Sequence, residues 1–287
     1  MALSPLVGAP EQTEEGHDVA FVLGGGGILG ASEVGMLRAL FDTGIRPDLV
    51  VGTSVGALNG AVVAHDPNPL SVEKLTDVWM STASTVWAVS PIDRMLSVAR
   101  TRTALHSIEP LRGLLTEHLG DALIEDLPIP FHCCAASIER ASEHWFTSGP
   151  VVEAVLASCS VPGLFPAFEL GGEHYLDGGI VNSIPVGRAV ELGARTIYVL
   201  QVGRIERSLT APTTPWEVGL VAFEIARRHR FARDMAAVPD GVTVHLLPSG
   251  EDIAPLASLR YRDTRSVTRR IELSQGASLA YLEQIGG

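Results

Sequence analysis

The chain has 287 residues, 46% hydrophobic and 19% charged, with a formal net charge of −12. That is enough apolar material for one large core, and the acidic balance argues against nucleic acid as a partner and against tight, purely electrostatic docking on anionic lipid. The N-terminus lacks the basic start and apolar run of a signal peptide, and no stretch reaches the roughly 18 uninterrupted apolar residues of a membrane span, so a cytoplasmic location is expected.

Residues 1–17 are polar and acidic and read as a flexible tail, leaving 18–287 as a single domain. VAFVL (19–23) reads as a buried parallel strand. GGGGILG (24–30) follows as a tight glycine loop, then a helix over Ala31 to Asp42 with Gly44 as its stop signal. DLVVG (48–52) is a second strand, and the helix after Ser54 runs to about His65. This βαβ order predicts an α/β fold of three layers, α/β/α, around a mostly parallel sheet. Further strands are expected at 131–137, 143–147, 174–177, 196–201 and 242–247. Further helices are expected at 71–82, 108–119, 150–158, 186–193, 217–236 and 265–283, with Ser71 and Ser107 as N-caps. Residues 83–106 read either as a plain connection or as an apolar lip over a site.

Cys133, Cys134 and Cys159 form no framework spacing, which points to a reducing compartment and inert thiols. No CxxC or HExxH spacing suggests a metal. Arginines cluster at ARRHRFAR (226–233) and LRYRDTRSVTRR (259–270). Solvated helix faces are the plain expectation, and a patch that meets phospholipid head groups is the sharper one.

GTSVG (52–56) fits Gly-x-Ser-x-Gly and sits between a strand and a helix, the setting that exposes a serine nucleophile on a strained turn. Ser54 is therefore the candidate nucleophile, and Gly56, Ala57, Gly60 and Ala61 let its helix pack close to the sheet. The glycine loop precedes a helix N-terminus, where free N–H groups favour negative charge. Gly25, Gly27 and Gly30 also match the G-x-G-x-x-G of dinucleotide sites. That alternative wants an acid at the end of the second strand, whereas Asp48 lies at its start. In LDGGI (176–180), Asp177 ends a strand before two glycines. It is either the base for Ser54 or the first residue of an ordinary turn.

The three motifs together, GGGILG (25–30), GTSVG (52–56) and DGG (177–179), resemble the patatin-like phospholipase family of serine lipid acyl hydrolases. ALNGAVVA, ASCSVPGLFPAF (157–168) and GGIVNSIPV (178–186) extend the similarity over about Val19 to Val202, the motif core, leaving a looser C-terminal part at 203–287. The resemblance implies a Ser–Asp dyad without histidine: Ser54 as nucleophile and Asp177 as base, with the N–H groups of Gly25, Gly26 and Gly27 holding the oxyanion. Gly30, Gly52, Gly56, Gly178 and Gly179 would support the motifs. It implies acyl hydrolysis of phospholipid or lysophospholipid, transient contact with a membrane surface, and no cofactor. Members of the family often carry a basic residue where this chain has Leu29, so a contact to substrate phosphate is in question.

Three alternatives stay open. A Ser–Asp–His triad would draw on His229 or His245, neither in a loop. An acyltransferase would use the same acyl-enzyme. A non-catalytic lipid-binding protein would have no need of intact motifs.

Overall fold

The computed structural model describes residues 16–85, 103–202, 208–250 and 264–286. Strands β1 (Val19–Leu23), β2 (Leu49–Thr53), β3 (Phe131–Ser137), β4 (Ser142–Phe146), β5 (Phe168–Leu170), β6 (Glu173–Asp177), β7 (Thr196–Leu200) and β8 (Thr243–Leu247) form one sheet. Its order is β5-β6-β3-β2-β1-β7-β8, with β4 added on β3. The helices are α1 (Ala31–Asp42), α2 (Val55–His65), α3 (Leu70–Thr85), α4 (Glu109–Leu119), α5 (Val151–Ser158), α6 (Gly179–Asn182), α7 (Val186–Glu191), α8 (Pro215–Ala236) and α9 (Thr264–Gly286).

Alternation along the central strands builds the three expected layers. Successive strand side chains point to opposite faces. Phe21, Leu23 and Val50 enter one core with α1, α2, α3, α4, α5 and α9. Ala20, Val22, Leu49 and Val51 enter a second core with α7 and Phe231 of α8. Strands buried on both faces read as continuous apolar runs, which is why VAFVL and LVV stood out. Among the described residues, no helix is long and apolar enough to cross a membrane.

The sheet is parallel from β8 to β3 and antiparallel beyond. β3 divides its edges in a way that positions the site. Cys133 faces Gly52 of β2 on one edge and Phe146 of β4 on the other. Two residues on, Ala135 faces His144 of β4 and Asp177 of β6. β6 therefore shares the edge that β2 occupies, and the two strands meet end to end along β3. Thr53 is opposite Cys134 and Asp177 opposite Ala135. Asp177 reaches Ser54 from the opposite direction, not from a parallel neighbour as the βαβ pattern suggested.

Smaller differences have local causes. Residues 27–30 of the glycine loop form one 3-10 turn that runs straight into α1. Ser71 lies inside the first turn of α3 and donates to the Asn68 carbonyl, while the Asn68 side chain accepts the Leu70 N–H. The Ser107 hydroxyl accepts the Glu109 N–H from one position before the cap, Ile108. His17, expected in the tail, is tied in by the Arg195 N–H. Residues 1–15, 86–102 and 259–263 lie outside the described residues, and with them most of the expected tail, most of the proposed lip and the start of the second arginine cluster.

Three arginines of the first cluster are engaged by acids, while Arg233 is exposed on α8. Arg227 is 5% exposed and makes two hydrogen bonds to Glu224, which Arg228 also engages. Arg230 pairs with Asp234 and Glu143.

Close backbone contact holds α2 to the sheet. A Cβ on Gly56 would lie 2.3 Å from the Leu23 carbonyl oxygen, and one on Gly52 would lie 2.6 Å from the Gly56 oxygen. Those neighbours are backbone and cannot swing aside. Gly56→Ala is expected to cost about 3 kcal/mol or more, visible in a thermal melt as a drop in Tm of several degrees.

Candidate active site

Ser54 stands at the junction of β2 and α2, at the helix N-cap, with φ 56° and ψ −126°. A left-handed backbone at a non-glycine residue costs about 1–3 kcal/mol and persists only where its surroundings enforce it. Three contacts do so. Gly52 and Gly56 admit the close approach on either side. The Ser54 N–H donates to the Ser158 hydroxyl at 2.8 Å, and that hydroxyl donates to the Cys134 carbonyl at 2.5 Å. Ser158, at the end of α5, thereby fastens the turn to β3. Its role was invisible in the sequence, although it lies within ASCSVPGLFPAF.

The Ser54 hydroxyl donates to Asp177 Oδ2 at 2.6 Å. The other carboxylate oxygen, Oδ1, accepts the Gly179 N–H at 2.7 Å. The turn that carries Asp177 is pinned twice, by Asp177 N–H to the Ser160 carbonyl and Gly178 N–H to the Ser158 carbonyl. Gly178 has to be glycine, since a Cβ there would lie 2.2 Å from the Cys134 oxygen. Ser54 and Asp177 are each 3% exposed. Burial pushes the Asp177 carboxyl up to about 6, against the opposing pull of its hydrogen bonds from Ser54 and Gly179. A carboxyl poised there is a usable base near neutral pH.

The glycine loop runs beside the serine. Gly25 N–H donates to the Ser183 carbonyl at 2.8 Å, so it is already committed. Gly26 and Gly27 carry N–H groups with no acceptor among the described residues, at the start of the 3-10 turn that leads into α1. Gly27 has φ 57°, and a Cβ on Gly26 would collide with Val202. Gly30 packs against the Trp79 ring. Leu29 is 3% exposed, a buried apolar side chain that offers substrate no charge.

A second buried carboxyl lies behind this loop. Glu33, in the first turn of α1, has no solvent exposure. Its Oε2 accepts the Asn59 amide at 2.8 Å, while Oε1 has no partner. The same amide also donates to the Gly30 carbonyl, and the Asn59 oxygen accepts the Trp79 indole N–H at 2.9 Å. The network links the loop to α2 and α3. Burial holds the Glu33 carboxyl well above the usual range, against the opposing pull of Asn59 and of the Gly24 backbone. In sequence Glu33 was an ordinary first-turn acid.

The competing arrangements do not assemble. All nine histidines lie in the described residues, and none hydrogen-bonds Ser54 or Asp177. His229 is exposed on α8, and His245 stacks on Tyr198 and meets the Tyr281 hydroxyl. The Asp48 carboxylate accepts the Asp18 N–H at the opposite end of the sheet, where it is no ribose ligand. The three cysteines are buried, and burial pushes the Cys133 thiol up to about 12.

Residues 21–190 match the family model for patatin-like phospholipase. The chain belongs to that family. A patatin-like phospholipase domain-containing protein of Caenorhabditis elegans is 34% identical over 195 residues, 67% of this chain and 14% of the relative. A lysophospholipase of Aspergillus terreus is 32% identical over 191 residues, 67% of this chain and 12% of the relative. The chain thus spans about one seventh of the length of these relatives or less. Among solved structures, VipD of Legionella pneumophila covers 94% of this chain and 67% of its own, with TM-score 0.48 and 13% identity.

A carboxyl that titrates higher when folded holds its proton more tightly in the native state. Stability therefore falls as pH climbs above the ordinary glutamate value of 4.5. Glu33→Gln removes that penalty while keeping an acceptor for Asn59. Its Tm is expected to exceed that of wild type by a margin that grows as pH rises above about 4.5 and vanishes below it. Melting curves on either side of that pH check it.

Proposed function

We propose that the protein is a serine acyl hydrolase that cleaves fatty-acyl esters of phospholipids or lysophospholipids through an acyl-enzyme on Ser54. The observation that carries this is the 2.6 Å hydrogen bond from the Ser54 hydroxyl to a buried Asp177 carboxylate, in a chain of the patatin-like phospholipase family. The relatives named lysophospholipase support the substrate class.

In acylation the Ser54 oxygen attacks the ester carbonyl carbon and its proton passes to Asp177 Oδ2. The C=O π pair moves onto the carbonyl oxygen, which the free N–H groups of Gly26 and Gly27 and the adjoining helix end stabilise. Collapse of the adduct breaks the ester C–O bond, and the departing alkoxide takes the proton from Asp177. Water then attacks the acyl-enzyme with Asp177 again as base, releasing the fatty acid and restoring the Ser54 hydroxyl. One carboxylate serves both steps because it returns ionised after each. A dry site strengthens each of these interactions. Ile180 and Phe223, each 38% exposed, border the aspartate turn and offer an apolar surface for an acyl chain. Transient contact with a lipid surface belongs to the same proposal.

Covalent labelling by a fluorophosphonate probe tests the dyad without a guess at the lipid. Wild type is expected to label at Ser54, and Ser54→Ala not at all. Asp177→Asn is expected to lose about 10⁴-fold in kcat. A folded wild-type protein that resists the probe would sink the hydrolase assignment.

The base works only when ionised. kcat/KM is expected to fall about tenfold per unit as pH drops below the Asp177 value of about 6, and to level off above it. A pH–rate profile flat from about 5 to 7 would remove Asp177 from that role.

A further inference from the structure

Ser183 carries a hydroxyl that the fold does not use. The residue follows α6, is 2% exposed, and its Oγ has no hydrogen-bond partner. Buried hydroxyls almost always have one, because leaving a donor unmade is costly. A group with no partner holds nothing together, so packing gives no reason for a serine here rather than an alanine.

Its position supplies a reason. The Ser183 carbonyl takes the Gly25 N–H, which removes that donor from any oxyanion pocket. A Cβ built on Gly25 would lie 3.1 Å from Ser183 Oγ and 3.4 Å from Ser54 Cβ. The two serines therefore flank one gap, kept open because residue 25 has no side chain. The N–H groups of Gly26 and Gly27 follow directly along the chain.

We propose that the Ser183 hydroxyl is a donor of the oxyanion pocket, taking the place that Gly25 gives up. This rests on the hydrolase assignment. As the tetrahedral adduct forms on Ser54, the carbonyl oxygen gains the π pair and accepts a hydrogen bond from Ser183 Oγ–H. Ser183 keeps its proton, and the Ser54 proton still goes to Asp177. The hydroxyl lacks a partner in the resting enzyme and finds one in the transition state. Only that kind of differential interaction speeds the chemical step.

The test compares wild type with Ser183→Ala and Ser183→Cys, each read by melting temperature, by kcat and KM on a p-nitrophenyl acyl ester, and by the rate of fluorophosphonate labelling. Ser183→Ala is expected to melt at or above the wild-type temperature, to lose about 10²-fold in kcat with KM little changed, and to label slower by a similar factor. Ser183→Cys, with a weaker donor, is expected to fall between the two. A wild-type kcat and labelling rate in Ser183→Ala would overturn the proposal, and so would an activity loss that tracks a lowered Tm, which marks a structural role. If wild type itself failed to label while well folded, the hydrolase assignment would fall first and this proposal with it. Labelled wild type beside equally labelled Ser183→Ala would overturn this proposal alone.

Discussion

The hydrogen bond between the Ser54 hydroxyl and the Asp177 carboxylate sets conditions that the surrounding fold has to meet. It joins residues 123 apart in sequence and is almost cut off from water. A carboxylate placed there without partners would take up a proton rather than bear its own desolvation. The fold answers with two donors, Ser54 Oγ and the Gly179 N–H, one for each oxygen. These hold the acid in place without cancelling the effect of burial, so it keeps enough basicity to matter. The glycines at 52, 56 and 178 serve the same end. Each removes a Cβ where two backbones have to touch if serine and aspartate are to meet.

Behind the loop, Glu33 raises the same problem and meets it differently. It is buried in the first turn of the helix that points at the proposed oxyanion pocket, where an ionised carboxylate would oppose the charge that forms during reaction. Its environment favours the neutral form. Two acids in one small region are thus tuned by the same cause, burial. One has two donors and stays near the neutral range. The other, with no solvent exposure at all, is held well above it. Asn59 connects the second acid to Gly30 and Trp79, tying the glycine loop to α2 and α3.

Much of this was legible in the sequence. VAFVL and LVVG could hardly be anything but central strands, and the glycines around Ser54 and Asp177 marked close approaches. The antiparallel half of the sheet was harder. β5 has three residues and no apolar run, but Gly171 and Gly172, both at positive φ, supply the hairpin turn to β6. A Gly-Gly between two short polar-apolar stretches was a signal that went unused. The hydroxyl of Ser158 gave no signal, since its partners come from other elements, and that of Ser183 has no partner to be read by. The pairing of the α8 arginines was hidden for a similar reason. Glu224 and Asp234 were visible in the same segment, but their capture of the cluster depends on which helix face is buried.

The shared edge of β3 has a wider meaning for how such a site can be kept through sequence change. Because β2 and β6 abut on the same strand, the spacing of serine and aspartate is measured out by backbone pairing, residue against residue, with Cys134 and Ala135 as adjacent marks. Side-chain drift in either core leaves those marks where they are. Insertions in connecting loops leave them too. What the arrangement cannot absorb is a slip of register along β3, which would translate one partner by a full residue, about 3.3 Å, and leave both motifs intact to the eye yet out of reach of each other.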